Sequence, residues 1–162
     1  MKESSSILLN GPAECKDCAR KLIQLATQRV YIISQALEPE IYNDREIYQH
    51  LTSLSTRNKK TDIRIIAHDT RRAGYEGHSL IHLSQKLPTF AQIRTTVTAT
   101  HRKFIESWLI VDDMAYMRIK DPSRFEGIFE IDNKLECKSY IDSFEKTWEV
   151  CQVDQNTRRL SL

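Results

Sequence analysis

Apolar residues alternate with polar ones at two distinct periods along this chain. After a Gly11-Pro12 turn signal, Cys18, Leu22, Leu25 and Ala26 recur at helical spacing between lysines and arginines, which predicts a helix over residues 13–29. Val30-Tyr31-Ile32-Ile33 is a continuous β-prone run of strand length, ended by Glu38-Pro39-Glu40. Asp44 is placed to cap a second helix, residues 45–55, with Ile47, Tyr48, Leu51 and Leu54 on one face. A second strand is expected over residues 63–67, a polar loop over 68–77, a helix over 78–87 stopped by Pro88, and a third strand over 93–97. Trp108 to Val111 and Ala115 to Ile119 flank Asp112-Asp113-Met114 and read as two strands joined by a tight turn. Residues 125–131 read as a further strand. A long helix then runs to about residue 150, capped by Asp132 or Asn133, with Leu135, Tyr140, Ile141, Phe144, Trp148 and Cys151 on its core side.

Strands alternating with helices imply βαβ units and a largely parallel sheet with helices on both faces. The tight turn at residues 112–114 demands an antiparallel pair, so the expected α/β sheet is mixed. No repeat or Pro/Gly-rich linker divides the sequence, and 162 residues fit one domain, residues 1–162, with a polar tail from 152.

Composition adds exclusions. At 40% apolar and 28% charged the chain reads as globular, not disordered. No apolar run approaches the roughly 20 residues of a membrane-spanning helix. Residues 7–9 are too short a run for a signal-peptide core, so a cytoplasmic protein is expected. Cys15 and Cys18 form a lone C-x-x-C with Cys137 and Cys151 far away, which is not a zinc ligand pattern; the pair is expected to fill neighbouring core positions of one helix. His50, His78 and His82 lack a zincin motif, so neither metal nor cofactor is expected.

Net charge is only +2, but residues 57–124 hold 13 Lys/Arg against 7 Asp/Glu while the remainder holds 11 against 15. This basic segment is either a solvated mixed surface or a footprint for an anionic partner. Its densest part is the loop His68-Asp69-Thr70-Arg71-Arg72, closed by His78 at the start of a helix. Ligands collect beyond the carboxyl ends of parallel strands, helix N-termini favour anions, and arginine grips phosphate or carboxylate in bidentate fashion. The alternative is that His68 and Asp69 brace the loop while Arg71 and Arg72 are solvated. His101, Arg102, Lys103 and Arg118, with Lys120 and Arg124, could extend the patch, and Tyr75 and Phe104 could stack on unpaired bases.

The order of elements, ending in Trp108-Leu109-Ile110-Val111-Asp112-Asp113, resembles one half of the phospholipase D superfamily. His68-Asp69, Gly77-His78, Leu87-Pro88, Trp148 and Arg158-Arg159-Leu160 more narrowly resemble a bacterial family of uncharacterised phospholipase D-like domains, often fused to or beside GNAT-type acetyltransferases. The superfamily's catalytic strand reads His-x-Lys-x4-Asp. Matched through Asp112, that motif finds Ile105 at the nucleophile position and Ser107 at the lysine position. An intact His101-Arg102-Lys103 lies four residues early, a displacement of about 13 Å along a strand. The resemblance therefore implies a degenerate site, with His101, Lys103 and Asp112 the residual catalytic candidates. With the basic residues above, the expectation is a non-catalytic binding module for an anionic ligand, RNA foremost; tRNA and an acetyltransferase partner are what the resemblance alone implies. A homodimer is expected as well, because only one half is present and such halves pair about a two-fold axis. The rival readings are a structural module with a protein partner and a residual phosphodiesterase using His101.

Overall fold

The computed structural model describes residues 6–157, so Arg158-Arg159-Leu160 lies outside the described residues. The elements in chain order are β1 (Ile7–Asn10), α1 (Pro12–Leu25), β2 (Arg29–Ser34), α2 (Pro39–Tyr42), α3 (Arg45–Arg57), β3 (Asp62–Ala67), α4 (Arg71–Glu76), α5 (Ser79–Lys86), β4 (Ala91–Thr95), α6 (Ala99–Arg102), β5 (Ser107–Val111), β6 (Ala115–Asp121), β7 (Glu126–Ile131), α7 (Lys134–Glu149) and β8 (Gln152–Val153).

All eight strands form one sheet in the order β1-β7-β6-β5-β2-β3-β4-β8. The sheet is mixed, as the tight turn requires. Parallel pairing is confined to β2-β3-β4, and the other neighbours run antiparallel, so parallel strands are a smaller share than the alternation of elements suggests. The cause is local. From β5 onward the chain turns back on itself through short hairpin connections, which only antiparallel strands permit.

Side-chain alternation sends successive residues to opposite faces. Val30, Ile32, Ile63, Ile65, Leu109 and Val111 pack beneath helices that contribute Leu22, Ile41, Ile47, Leu51 and Leu80. Tyr31, Ile33, Ile66, Ile110 and Tyr116 face the other way, where α7 alone supplies Ile141, Phe144 and Trp148. Helices thus cover both faces. Tyr31 stacks on Phe144 with ring centroids 4.5 Å apart, and the Arg94 guanidinium lies 4.2 Å over Trp148.

Cys15, Cys18 and Cys137 are buried as free thiols. Burial pushes the Cys15 thiol up to about 11 and Cys18 to about 12, which keeps both protonated and unreactive. Asp44 caps α3, with its carboxylate accepting from the Ile47 backbone N–H at 3.1 Å, and Asn133 caps α7.

Several segments differ from expectation: β4 begins and ends two residues before the expected 93–97, and Leu135, expected on the core side of α7, is exposed. Helix α1 stops at Leu25, four residues early, because the backbone N–H groups of Thr27, Gln28 and Arg29 all donate to the Asp112 carboxylate at 2.9 Å. Residues 7–10 form an edge strand too short for its period to stand out. The expected loop at 68–77 contains α4. The expected polar tail is anchored: β8 pairs with β4, and Asp154 and Thr157 are buried. Among the described residues no helix is long and apolar enough to cross a membrane.

Candidate anion-binding site

Strands β2, β3 and β4 end at the same edge of the sheet, and β5 begins there because it runs antiparallel to β2, with Ile33 opposite Trp108. Two connections therefore meet at this edge: the one leaving β3 at His68, and α6, which precedes β5. The segment after α7 closes the third side through β8. Together they form an open groove of about 610 Å³ lined by His68, Asp69, Arg71, Thr95, Arg102 and residues 152–156.

The far wall is tied down tightly. Thr70 Oγ1 contacts both carboxyl oxygens of buried Asp154 at 2.8 Å, and Asn156 Nδ2 donates to Thr70 Oγ1 at 3.2 Å. A Cβ at Gly74 would come within 2.9 Å of the Asn156 carbonyl oxygen, so glycine lets α4 lie against this segment. Thr70, Gly74, Asp154 and Asn156 went unrecognised in the sequence. Each is a common residue type, and only the pairing of β8 with β4 brings them together.

On the floor, His68 Nδ1 lies 2.8 Å from Thr96 Oγ1. Its Nε2 is buried next to the Phe104 backbone and makes no hydrogen bond of good geometry. Burial, with lesser contributions from His101 and Arg102, holds the His68 pKa below its ordinary 6.5, so the ring is neutral at pH 7. Arg71 is 81% exposed and paired with Asp69, Nη2 to Oδ2 at 2.8 Å, and the Asp69 carboxyl falls to about 2 through its hydrogen bonds from Arg71. An exposed pair of this kind adds little to stability and can open to a ligand. Arg102 donates from Nε to the Thr96 carbonyl at 3.4 Å, and among the described residues neither Arg102 nor Lys103 has a carboxylate at ion-pair distance.

Of the residues singled out in the sequence, the groove gathers His68, Asp69, Arg71 and Arg102, with His101 and Lys103 adjacent on or just after α6. Three others lie elsewhere. His78 is buried as the cap of α5: Nδ1 accepts from the Leu80 N–H, and Nε2 lies 2.7 Å from the Leu37 carbonyl oxygen. Arg72 pairs with Glu76. Arg118 grips Glu106 with Nε and Nη2, half-buried on β6. Some of the helix N-terminal N–H groups expected to be free are already engaged, Arg71 N by Asp69, Ser79 N by Asn43 and Leu80 N by His78.

The residual catalytic candidates do not converge. His101 precedes β5 and Asp112 follows it, so they lie at opposite ends of that strand. Asp112 acts as a backbone clamp on residues 27–29. Ile105 is exposed, whereas Ser107 is fully buried. The Ser107 hydroxyl, the Tyr42 hydroxyl and both carboxyl oxygens of Glu38 lack hydrogen-bond partners among the described residues, and burial raises the Glu38 pKa. The buried Ser107 position would have to take a lysine to restore the motif.

The chain superposes on Nuc, a phospholipase D family member from Salmonella typhimurium, with a TM-score of 0.67 at 13% identity, covering 94% of this chain and 99% of that one. NucT from Helicobacter pylori is similar at a TM-score of 0.62 and 16% identity, over 94% and 100%. TrmBL2, described as an archaeal chromatin protein with a novel mode of DNA binding, gives 0.69 at 10% identity, over 92% of this chain and 53% of that one. At these identities the likeness establishes the fold alone, which is phospholipase D-like. A family model described as a domain of unknown function, DUF7931, matches residues 11–160. No curated protein sequence matches the chain.

Proposed function

The chain belongs to the family described as a domain of unknown function, DUF7931, and on that premise we propose that it is a non-catalytic phospholipase D-like module binding the phosphates of a single-stranded nucleic acid, RNA in particular. One observation carries the reading. Arg102, without a carboxylate partner among the described residues, shares a groove with His68 and with the exposed, Asp69-paired Arg71 at the ends of the parallel strands. Lys103 follows directly. Guanidinium and ammonium groups so placed suit a run of phosphates, whose binding is dominated by such contacts. The DNA-binding described for TrmBL2 supports the same class of partner on a related fold. The resemblance adds tRNA as the particular RNA and an accessory role beside a GNAT-type acetyltransferase.

Non-catalytic is the better reading because a nucleophilic His and a phosphate-holding Lys must share one strand face, and the positions that would carry them are Ile105 and Ser107. Fluorescence anisotropy with single-stranded RNA across a salt series tests the proposal. Binding should weaken with salt, and Arg102→Ala with Lys103→Ala should flatten the slope of log K against log salt by about 0.7 for each phosphate that is no longer neutralised. Absence of binding at low salt would remove it.

A second reading has its own support. Beside edge strand β1 lies an apolar groove of about 470 Å³ flanked by exposed Ile7, Leu8, Leu25 and Ile131, a surface suited to a protein partner or a second copy.

A further inference from the structure

Helix α6 places neighbouring side chains against two different cavities. Arg102 lines the groove at the ends of the parallel strands, while His101 lines a smaller pocket between α6 and α7 on the α7 face of the sheet. This pocket holds about 280 Å³, just under the roughly 300 Å³ at which sites for drug-sized ligands begin. It therefore suits one planar ring system and not an extended chain. Phe104, Trp108 and Phe144 form its walls, and His101, Ser143 and Thr147 contribute polar atoms. The Phe104 and Trp108 rings meet edge to face, 5.0 Å between centroids at 82°, so they present two perpendicular apolar surfaces. Trp108 is fixed in turn by Tyr140, 4.6 Å away, and by its Nε1 donating to Glu106 at 3.1 Å.

The chemistry of the lining selects the occupant. No carboxylate, lysine or arginine lines the pocket among the described residues, which disfavours a charged ligand and suits a neutral aromatic one. Hydroxyls on α7 can serve the varied edges of a heterocycle. His101 Nδ1 is engaged by Thr98 Oγ1, which orients the ring and leaves Nε2 as its remaining polar atom. The phosphate-binding side chains lie one residue away along the same helix.

We infer that the pocket receives a single unpaired nucleobase from a strand whose phosphates run over Arg102 and Lys103. The inference rests on the nucleic-acid reading above and adds where a base goes. It makes recognition depend on unstacked, single-stranded character, since a paired base cannot turn into a closed cleft.

Binding of an oligouridylate of about ten nucleotides is compared with that of an abasic strand of equal length, in a range typical of single-strand sites. The natural chain should hold the oligouridylate about tenfold tighter, the contribution of one stacked base. Ser143→Phe, at an exposed position of α7, fills the pocket from the solvent side without touching the core. It should erase the difference while leaving affinity for the abasic strand and the thermal midpoint unchanged. Equal affinity of the natural chain for both strands overturns the base pocket and leaves the phosphate reading standing. A difference that survives Ser143→Phe also overturns it, because the base then binds elsewhere. If neither strand binds, both proposals fall.

Discussion

Histidines show how differently one residue type can be used in a single molecule. His78 is buried with both ring nitrogens engaged, capping α5 on one side and meeting the Leu37 carbonyl oxygen on the other. That arrangement requires the neutral ring, since Nδ1 must accept while Nε2 donates. Burial depresses its pKa from the ordinary 6.5, and burial does the same to His68. The sign follows. Above pH 6.5 both folded and unfolded chains carry neutral rings and stability is full. Below it the unfolded chain takes up protons first, so stability falls until pH passes the folded pKa. Chemical unfolding should therefore show stability dropping as pH falls below 6.5, by up to about 1.4 kcal/mol per pH unit for each histidine. His78→Asn keeps a capping oxygen and should remove its share of that slope, leaving the share of His68. At neutral pH, removing the hydrogen bond to Leu37 should cost about 1–2 kcal/mol. An unchanged pH slope in the variant would contradict the buried neutral ring. Asp112 carries a similar lesson. In the sequence it stands at the acidic position of a catalytic motif, but the structure gives it backbone donors instead.

Among elements, what could be read from sequence divides by length and by origin of the signal. Helices α3 and α7 and strands β2, β3, β5 and β6 were legible because each has a clear period or a capping residue, as Asp44 and Asn133 illustrate. Short pieces were not. Strand β1 has four residues, α2 and α6 four each and β8 two, too few to establish any period. Their structure comes from partners distant in sequence: β1 from β7, β8 from β4. The groove suffers the same limit. His68, Asp69, Arg71 and Arg102 could be proposed from loop position and charge, whereas the wall supplied by residues 152–156 depends on a two-residue strand. That wall predicts a specific sensitivity. Gly74→Val places a branched side chain against the Asn156 carbonyl, with an added Cβ only 2.9 Å away. Overpacking of this kind should cost about 1–3 kcal/mol. It should also weaken RNA binding at fixed salt, because Asn156 and Asp154 move with Thr70. Full affinity in Gly74→Val would dissociate the wall from the site.

For the whole molecule, the two candidate surfaces lie at opposite ends of the strand order. The groove that holds Arg71 and Arg102 lies at the carboxyl ends of β3 and β4, while the exposed apolar residues Ile7, Leu8 and Leu25 lie together at the β1 edge, the opposite end of the strand order. Nucleic-acid binding and association with protein therefore need not compete for one surface. A homodimer through the β1 edge should appear as twice the chain mass in light scattering, and Leu8→Lys, at a side chain 73% exposed, should return it to a monomer without loss of folding. A monomer at high concentration in the natural protein would refute that association and leave the groove unaffected.

The cross-tie between Thr70 and Asp154 also sets an order of events during synthesis. Residues 29–95 can build the parallel strands early, but the cleft beside them lacks one bank until residues 152–156 have left the ribosome and docked. A nascent chain halted before that stretch would carry a sheet without the completed groove. Closure of the groove is thereby deferred until residues 152–156 have been made.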